Sequence, residues 1–218
     1  MGESGLQACE PEILVDWFGG DDRLSELKQF LIDLTSLGVT TIIVTYGIPK
    51  LVKILLERTG FLDSKYGIRG IFGCVKPGIL YKKSEALREI YETMTSANFD
   101  EHTNEIFFVD DSRSNIEDVG ANCGLPDKQN VLIDKTTAMV VDTMQDILSF
   151  YADVADSRQQ NGPSSGSISM PTSQHNDATE YTKLFTTPPW LLLPIPTIHG
   201  VHTTTMFVFG IHELTLSE

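Results

Sequence analysis

The sequence predicts an α/β protein built on a parallel sheet, and three observations predict it. Short apolar, β-branched runs alternate with longer segments whose apolar residues recur every three or four positions. The short runs are nearly continuous in apolar residues, as strands are when both faces of a sheet are covered. The intervals between them are long enough for helical crossovers, which join parallel neighbours right-handedly. Together these describe three layers, with the sheet between two sets of helices.

Each element has its own signature. "EILVDW" (12–17) is a short apolar run that reads as a strand, ended by "FGGDD". From Asp22 a helix is expected, because Leu24, Leu27, Phe30, Leu31, Leu34 and Leu37 share one face and Gly38 stops it. "TTIIVT" (40–45) is β-branched and reads as a buried strand. Pro49 suits a first helical position, and that helix runs to Gly60. "IRGIFG" (68–73) reads as a strand, and Ser84 to Thr95 as a helix with Leu87, Ile90 and Tyr91 inward. A strand over "IFFVD", a helix over 113–121, a strand over "NVLID" (130–134) and a helix over "VDTMQDILSFYADVA" complete a domain at 11–153. The remainder, 154–218, is expected to be a disordered or irregular tail. Its first part is rich in Ser, Gly, Gln and Pro. Its last part, "WLLLPIPTIHGVHTTTMFVFGIHELTLSE", is apolar but interrupted by Pro194, Pro196 and Gly200. That is too broken for the ~20 apolar residues of a membrane helix. His199 and His202 have no further ligands nearby and read as an incidental pair rather than a metal site.

Composition narrows the function. The chain has 218 residues, 41% of them hydrophobic, which suffices for a packed core. A formal net charge of −14 repels nucleic acid but is compatible with a divalent cation. Cys9, Cys74 and Cys123 are far apart and odd in number, so neither a disulfide framework nor zinc spacing is present. Cys74 and Cys123 read as small buried apolar residues. The first residues form no signal peptide and no myristoylation pattern, so a cytoplasmic protein with no membrane partner is expected.

The chemistry gathers at expected strand ends. In "NEIFFVDDSRSNIED" (104–118) four apolar residues run into Asp110 and Asp111. Adjacent carboxylates call for a proton or a cation, although Asp is also favoured where a helix begins. Functional groups collect at the carboxyl ends of parallel strands. That rule singles out Thr45, Tyr46 and Gly47 at one strand end, and Asp110 and Asp111 at another. Thr45 offers a hydroxyl and neighbouring amides, an anion cradle. Lys82 and Lys83 stand where a helix begins. Asp110 and Asp111 supply hard oxygens for Mg²⁺. Taken singly, Thr45 is an ordinary strand-end threonine, the lysines are solvated charges and "VDDSRSN" is a helix cap. Taken jointly they make a phosphate site.

In this order, "IIVTYG", then Lys83, then "FFVDDSRSNIEDV", the chain resembles the second, third and fourth motifs of the haloacid dehalogenase-like (HAD) superfamily, over roughly residues 18–135. The resemblance implies a three-layer Rossmann-like core and a Mg²⁺-dependent phosphatase acting on a phosphorylated small molecule or phosphoprotein. It implies that Thr45, with Tyr46 and Gly47, binds the phosphoryl group, that Lys83 steadies its charge, and that Asp111 ligates Mg²⁺ with Asp110 assisting. Lys83 is preferred to Lys82 because Leu87 and Ile90 follow it at four and seven residues; Lys76, before a proline, is a third candidate.

The family's first motif, Asp-x-Asp-x-Thr, supplies a nucleophile and a general acid. "ILVDWFGG" offers only Asp16 in the nucleophile position, with Phe18 in place of the acid and Gly20 in place of Thr. Two readings stand. Either Asp16 ends a first strand in an impaired relative, or the motif lies upstream and this chain is truncated, its "FGGDDR" following a missing insertion. A non-catalytic phospho-ligand-binding module is the alternative function. A receiver domain is disfavoured because its acidic pair precedes its Thr and Lys, and a dinucleotide-binding domain because no G-x-G-x-x-G or P-loop lysine motif occurs.

Overall fold

A computed structural model describes residues 3–76, 79–134, 139–160 and 206–211. Two short helices open the chain, α1 (Glu3–Ala8) and α2 (Pro11–Trp17). Leu6 and Leu14 are buried against Ile54 and Leu55 of α4 (Pro49–Arg58). The Arg58 guanidinium donates to the carbonyls of Leu6 (2.7 Å) and Gln7 (2.8 Å), so a cation closes the carbonyl end of α1. The expected strand at 12–17 is therefore a helix. Pro11 presets its first turn, and six apolar-rich residues fit either period.

α3 (Asp21–Ser36) and β1 (Thr40–Thr45) follow, and every residue of β1 is buried. Asp21 and Asp22 lie in the first turn of α3, where the helix dipole favours acids. After α4 come a 3₁₀ turn (Ser64–Tyr66), β2 (Ile68–Gly73) and a small antiparallel pair, β3 (Val75–Lys76) with β4 (Ile79–Leu80). Then come α5 (Lys83–Thr95), β5 (Ile106–Asp110), α6 (Arg113–Cys123), β6 (Asn130–Leu132) and α7 (Val141–Gln160). The expected strand at 130–134 is thus shorter by two residues, and α7 runs past the expected boundary at 153. No helix among the described residues is long and apolar enough to cross a membrane.

The last described element overturns the expected tail. β7 (Met206–Ile211) is a strand, and it lies in the middle of a five-stranded sheet of order β2-β1-β7-β5-β6. All four pairings are parallel. Parallel central strands need β-branched or aromatic residues on both faces, and "MFVFGI" supplies them. The expectation for 161–205 and 212–218, like the His199 and His202 pair, lies outside the described residues.

Alternate strand residues enter different apolar clusters, as a period of two requires. Ile42, Val44, Phe108 and Val208 pack with Leu87, Ile90 and Tyr91 of α5 and Val119 of α6. Ile43 packs with Leu24 of α3 and Val52 and Leu56 of α4. Phe107 and Val109 pack with Phe30 and Leu34 of α3 and Met144, Ile147 and Tyr151 of α7.

Gly67 shows how tightly this packing is fixed. Its φ is +64°, and a Cβ there would stand 2.4 Å from Thr35 Oγ1. That hydroxyl is held by the Leu31 carbonyl at 2.7 Å. Gly67→Ala therefore incurs both a left-handed backbone cost and a clash, for a loss of about 1–3 kcal/mol. A denaturant midpoint unchanged from wild type would refute it.

Candidate functional site

Parallel strands bring their carboxyl ends to one edge. Thr45 ends β1 and Asp110 ends β5, with β7 between them. Lys83, the first residue of α5, reaches this edge from the helix layer and is fully buried. Its ammonium donates to Asp110 Oδ2 at 2.6 Å and to the Val44 carbonyl at 3.1 Å. The face of the Tyr46 ring lies 5.3 Å from Nζ, within cation–π range. Lys82, its neighbour, is exposed and 3.7 Å from Asp118. The two adjacent lysines thus separate as the helical face predicts. The Lys76 side chain lies outside the described residues.

Asp110 is also fully buried. Its Oδ1 accepts the backbone N–H of Ser112 (2.8 Å) and the Asn115 side-chain amide (2.9 Å). With Lys83 on Oδ2, the carboxylate is satisfied by protein donors alone. Asp111 differs. It is partly exposed, yet its Oδ1 is buried with no hydrogen-bond partner. A buried carboxylate oxygen without a donor is costly unless a cation or proton meets it. The paired aspartates thus divide their work: one anchors the lysine and one is left with an oxygen to spare.

Thr45 is fully buried, and its Oγ1 accepts the Gly47 N–H at 2.8 Å. This local turn folds one expected cradle amide back onto the threonine. Tyr46 is half-buried, and burial, reinforced by neighbouring Cys74 and Asp118, pushes its phenol up to about 12. The first turn of α5 is likewise engaged within the chain. Ser84 N–H donates to Asp118 Oδ2 at 3.0 Å, and Lys82 N–H to Glu85 at 3.3 Å.

Asp16 is elsewhere. It stands exposed on helix α2 rather than at the end of a strand. The residues between β1 and β5 at the site's level are Gly210, paired with both Val44 and Asp110, and Ile211, paired with Thr45. Neither carries a nucleophile. Sequence reasoning passed over Asn115 and Asp118. The available signal was that Asn115, Val119 and Cys123 form the buried stripe of α6, where a polar residue must have an inward partner.

The donor set bears on Mg²⁺. Among the described residues no group of three or more His, Cys, Asp or Glu side chains is arranged to hold a metal. The Mg²⁺ expectation therefore rests on Asp111 alone, whose Oδ1 is a single hard oxygen without a hydrogen-bond partner.

Cys74 is fully buried beside this site, and its thiol is pushed up to about 12 chiefly by burial. Cys123 is raised to about 12 for the same reason. Both match the expectation of inert buried thiols. In comparisons with known protein families, curated proteins and solved structures, nothing matches this chain.

Two outcomes follow from the buried groups. Asp110→Asn leaves the Lys83 ammonium buried without its counter-charge and should cost about 3–5 kcal/mol. Lys83→Met should cost less, because Asp110 keeps two donors; equal losses in denaturant titrations would contradict this asymmetry. The thiols hold their protons to about pH 12 when folded and release them near their ordinary value of 9.0 when unfolded. Their contribution to stability is therefore intact below about pH 9 and declines as pH rises toward 12. At pH 8 a thiol alkylating reagent should label Cys74 and Cys123 only in denaturant, and rapid native labelling would refute the assignment.

Proposed function

We propose that the chain is a phosphoryl-anion-binding domain of HAD-like type, with a three-layer Rossmann-like core, that binds its ligand without hydrolysing it efficiently. The observation that carries this reading is the buried Lys83–Asp110 pair at the strand ends, with the Thr45 hydroxyl and the unpartnered Asp111 oxygen at the same edge. Lys83, held in place by Asp110, supplies the cationic donor and Thr45 the hydroxyl that a phosphoryl site uses. The ligand class is a phosphate monoester, carried by a small molecule or a phosphoprotein.

Hydrolysis through an aspartyl-phosphate needs a carboxylate nucleophile and a general acid within reach of the phosphorus. Asp16 sits exposed on a helix, and Gly210 and Ile211 fill the register between Val44, Thr45 and Asp110. The non-catalytic alternative is therefore better supported than the phosphatase for the residues described. A Mg²⁺ ion held through Asp111 Oδ1 would neutralise charge on the bound phosphoryl group. Thr45 and Lys83 would orient that group, and Asp110 would hold Lys83 in place.

Calorimetric titration with inorganic phosphate in Mg²⁺ should detect binding that Lys83→Met weakens at least tenfold. Asp111→Asn should abolish the Mg²⁺ dependence and leave the fold intact. Turnover of p-nitrophenyl phosphate should stay at background. Strong Mg²⁺-dependent turnover lost in Asp16→Asn would make Asp16 the nucleophile and overturn the non-catalytic reading.

A further inference from the structure

The sheet ends at β6. Among the described residues β6 pairs on one side only, with β5, and it stands last in the strand order. Such an outer edge presents backbone N–H and C=O groups that a further strand can pair.

Beside this edge runs a groove of about 460 Å³ between β6 and α7. Its floor is apolar, made by Phe107 of β5, Val131 of β6 and Phe150 of α7. All three pack against the cluster of Met144 and Ile147, so the floor continues the core out to the sheet edge. Along α7 the groove is lined from Thr143 to Asp153. The helix rises about 15 Å over that interval. An extended chain covers the same length in roughly four to five residues. A groove of this length between an edge strand and a helix fits one extended segment. The edge supplies main-chain hydrogen bonds, and the groove receives every second side chain.

The groove's charges say what those side chains are. Asp146 and Asp153 are exposed on α7, about two turns apart, and neither has an ion-pair partner among the described residues. Lys128 also lines the groove, with its ammonium 5.8 Å from the centroid of the Phe150 ring. The aromatic floor therefore already takes a cation on its face. Leu132, at the end of β6, and Val140 and Val141, at the start of α7, are exposed and extend the apolar surface at that end. The matching segment is basic with an apolar or aromatic middle.

Two nearer occupants lack that charge. Residues 161–205 of this chain contain Lys183 as their single Lys or Arg, and 212–218 contain none. A second copy paired edge to edge would bring the same carboxylates toward each other, on chains of net charge −14.

We propose that the groove between β6 and α7 binds, by strand addition at β6, an extended segment of another protein that carries basic residues around an apolar or aromatic one. This surface is independent of the anion-binding reading at the strand ends.

Calorimetric titration of the full-length chain with the peptide acetyl-Lys-Val-Tyr-Val-Lys-amide tests this. Its two lysines and its tyrosine share one face of an extended strand. Wild type should bind it, and combining Asp146→Lys with Asp153→Lys should weaken binding at least tenfold. Both substitutions lie at exposed helix positions, so the circular dichroism of the double variant should match wild type. The same peptide N-methylated at its three central residues cannot donate to the edge and should not bind. At ten times the Kd of the unmodified peptide, the outward amides of 130–132 should exchange about tenfold more slowly. Equal binding of the N-methylated peptide, or equal binding to the double variant, overturns strand addition in this groove. Absence of binding to wild type does the same. A wild type that sediments as a dimer and becomes monomeric in the double variant gives the edge to a second copy, and that too overturns the proposal.

Discussion

The ion pair between Lys83 and Asp110 is the interaction on which the arrangement at the strand ends depends. Both side chains are fully buried. Removing two charges from water costs several kcal/mol each, and their attraction offsets this only when the remaining donors and acceptors are also satisfied. Here Asp110 receives three donors and Lys83 has a second acceptor in the Val44 carbonyl. Satisfying the pair therefore constrains β1, β5, the first turn of α5 and the first turn of α6 at once. Asp118 tightens the same corner by accepting the Ser84 N–H beside Lys83. A buried pair of this kind is weak as a source of stability and strong as a specification of geometry.

On the proposed anion-binding reading, the pair also reconciles an acidic protein with an anionic ligand. A formal net charge of −14 sets up a field that repels phosphate at long range. Salt screens that field within about 10 Å. A lysine enclosed by strand ends and an aromatic face acts at shorter range, where screening is small. On the same reading, Asp111 is the residue that would discriminate between ligands. Its buried, unpartnered oxygen would disfavour a bare anion and favour one that arrives with a cation.

Most of the fold was legible from residue patterns. "TTIIVT" and "IFFV" are strands because β-branched and aromatic runs suit a buried pleated surface. Lys83 was separable from Lys82 because the apolar residues after it fix which side of α5 faces inward. Two segments misled for one reason: local pattern does not say which partner is available. "EILVDW" has a composition either period accepts, and Pro11 decided for the helix. "MFVFGI" has all the marks of a strand, yet it follows prolines and a polar stretch that read as the end of the ordered chain. Its place between β1 and β5 is a tertiary fact. The internal bonds of the site, Gly47 to Thr45 and Ser84 to Asp118, were also beyond sequence, since both depend on side-chain direction at the strand ends.

The position of β7 has a consequence for how the protein forms. Its partners in β1 and β5 precede it by most of the chain and by nearly half of it, respectively. Pairings between such distant residues raise contact order and slow folding. During synthesis β1 and β5 emerge long before the strand that fills the space between them. In that interval two parallel edges of apolar strands stand open, the kind of surface that recruits other chains. The nascent chain thus carries these open edges until β7 has been made and takes its place between them.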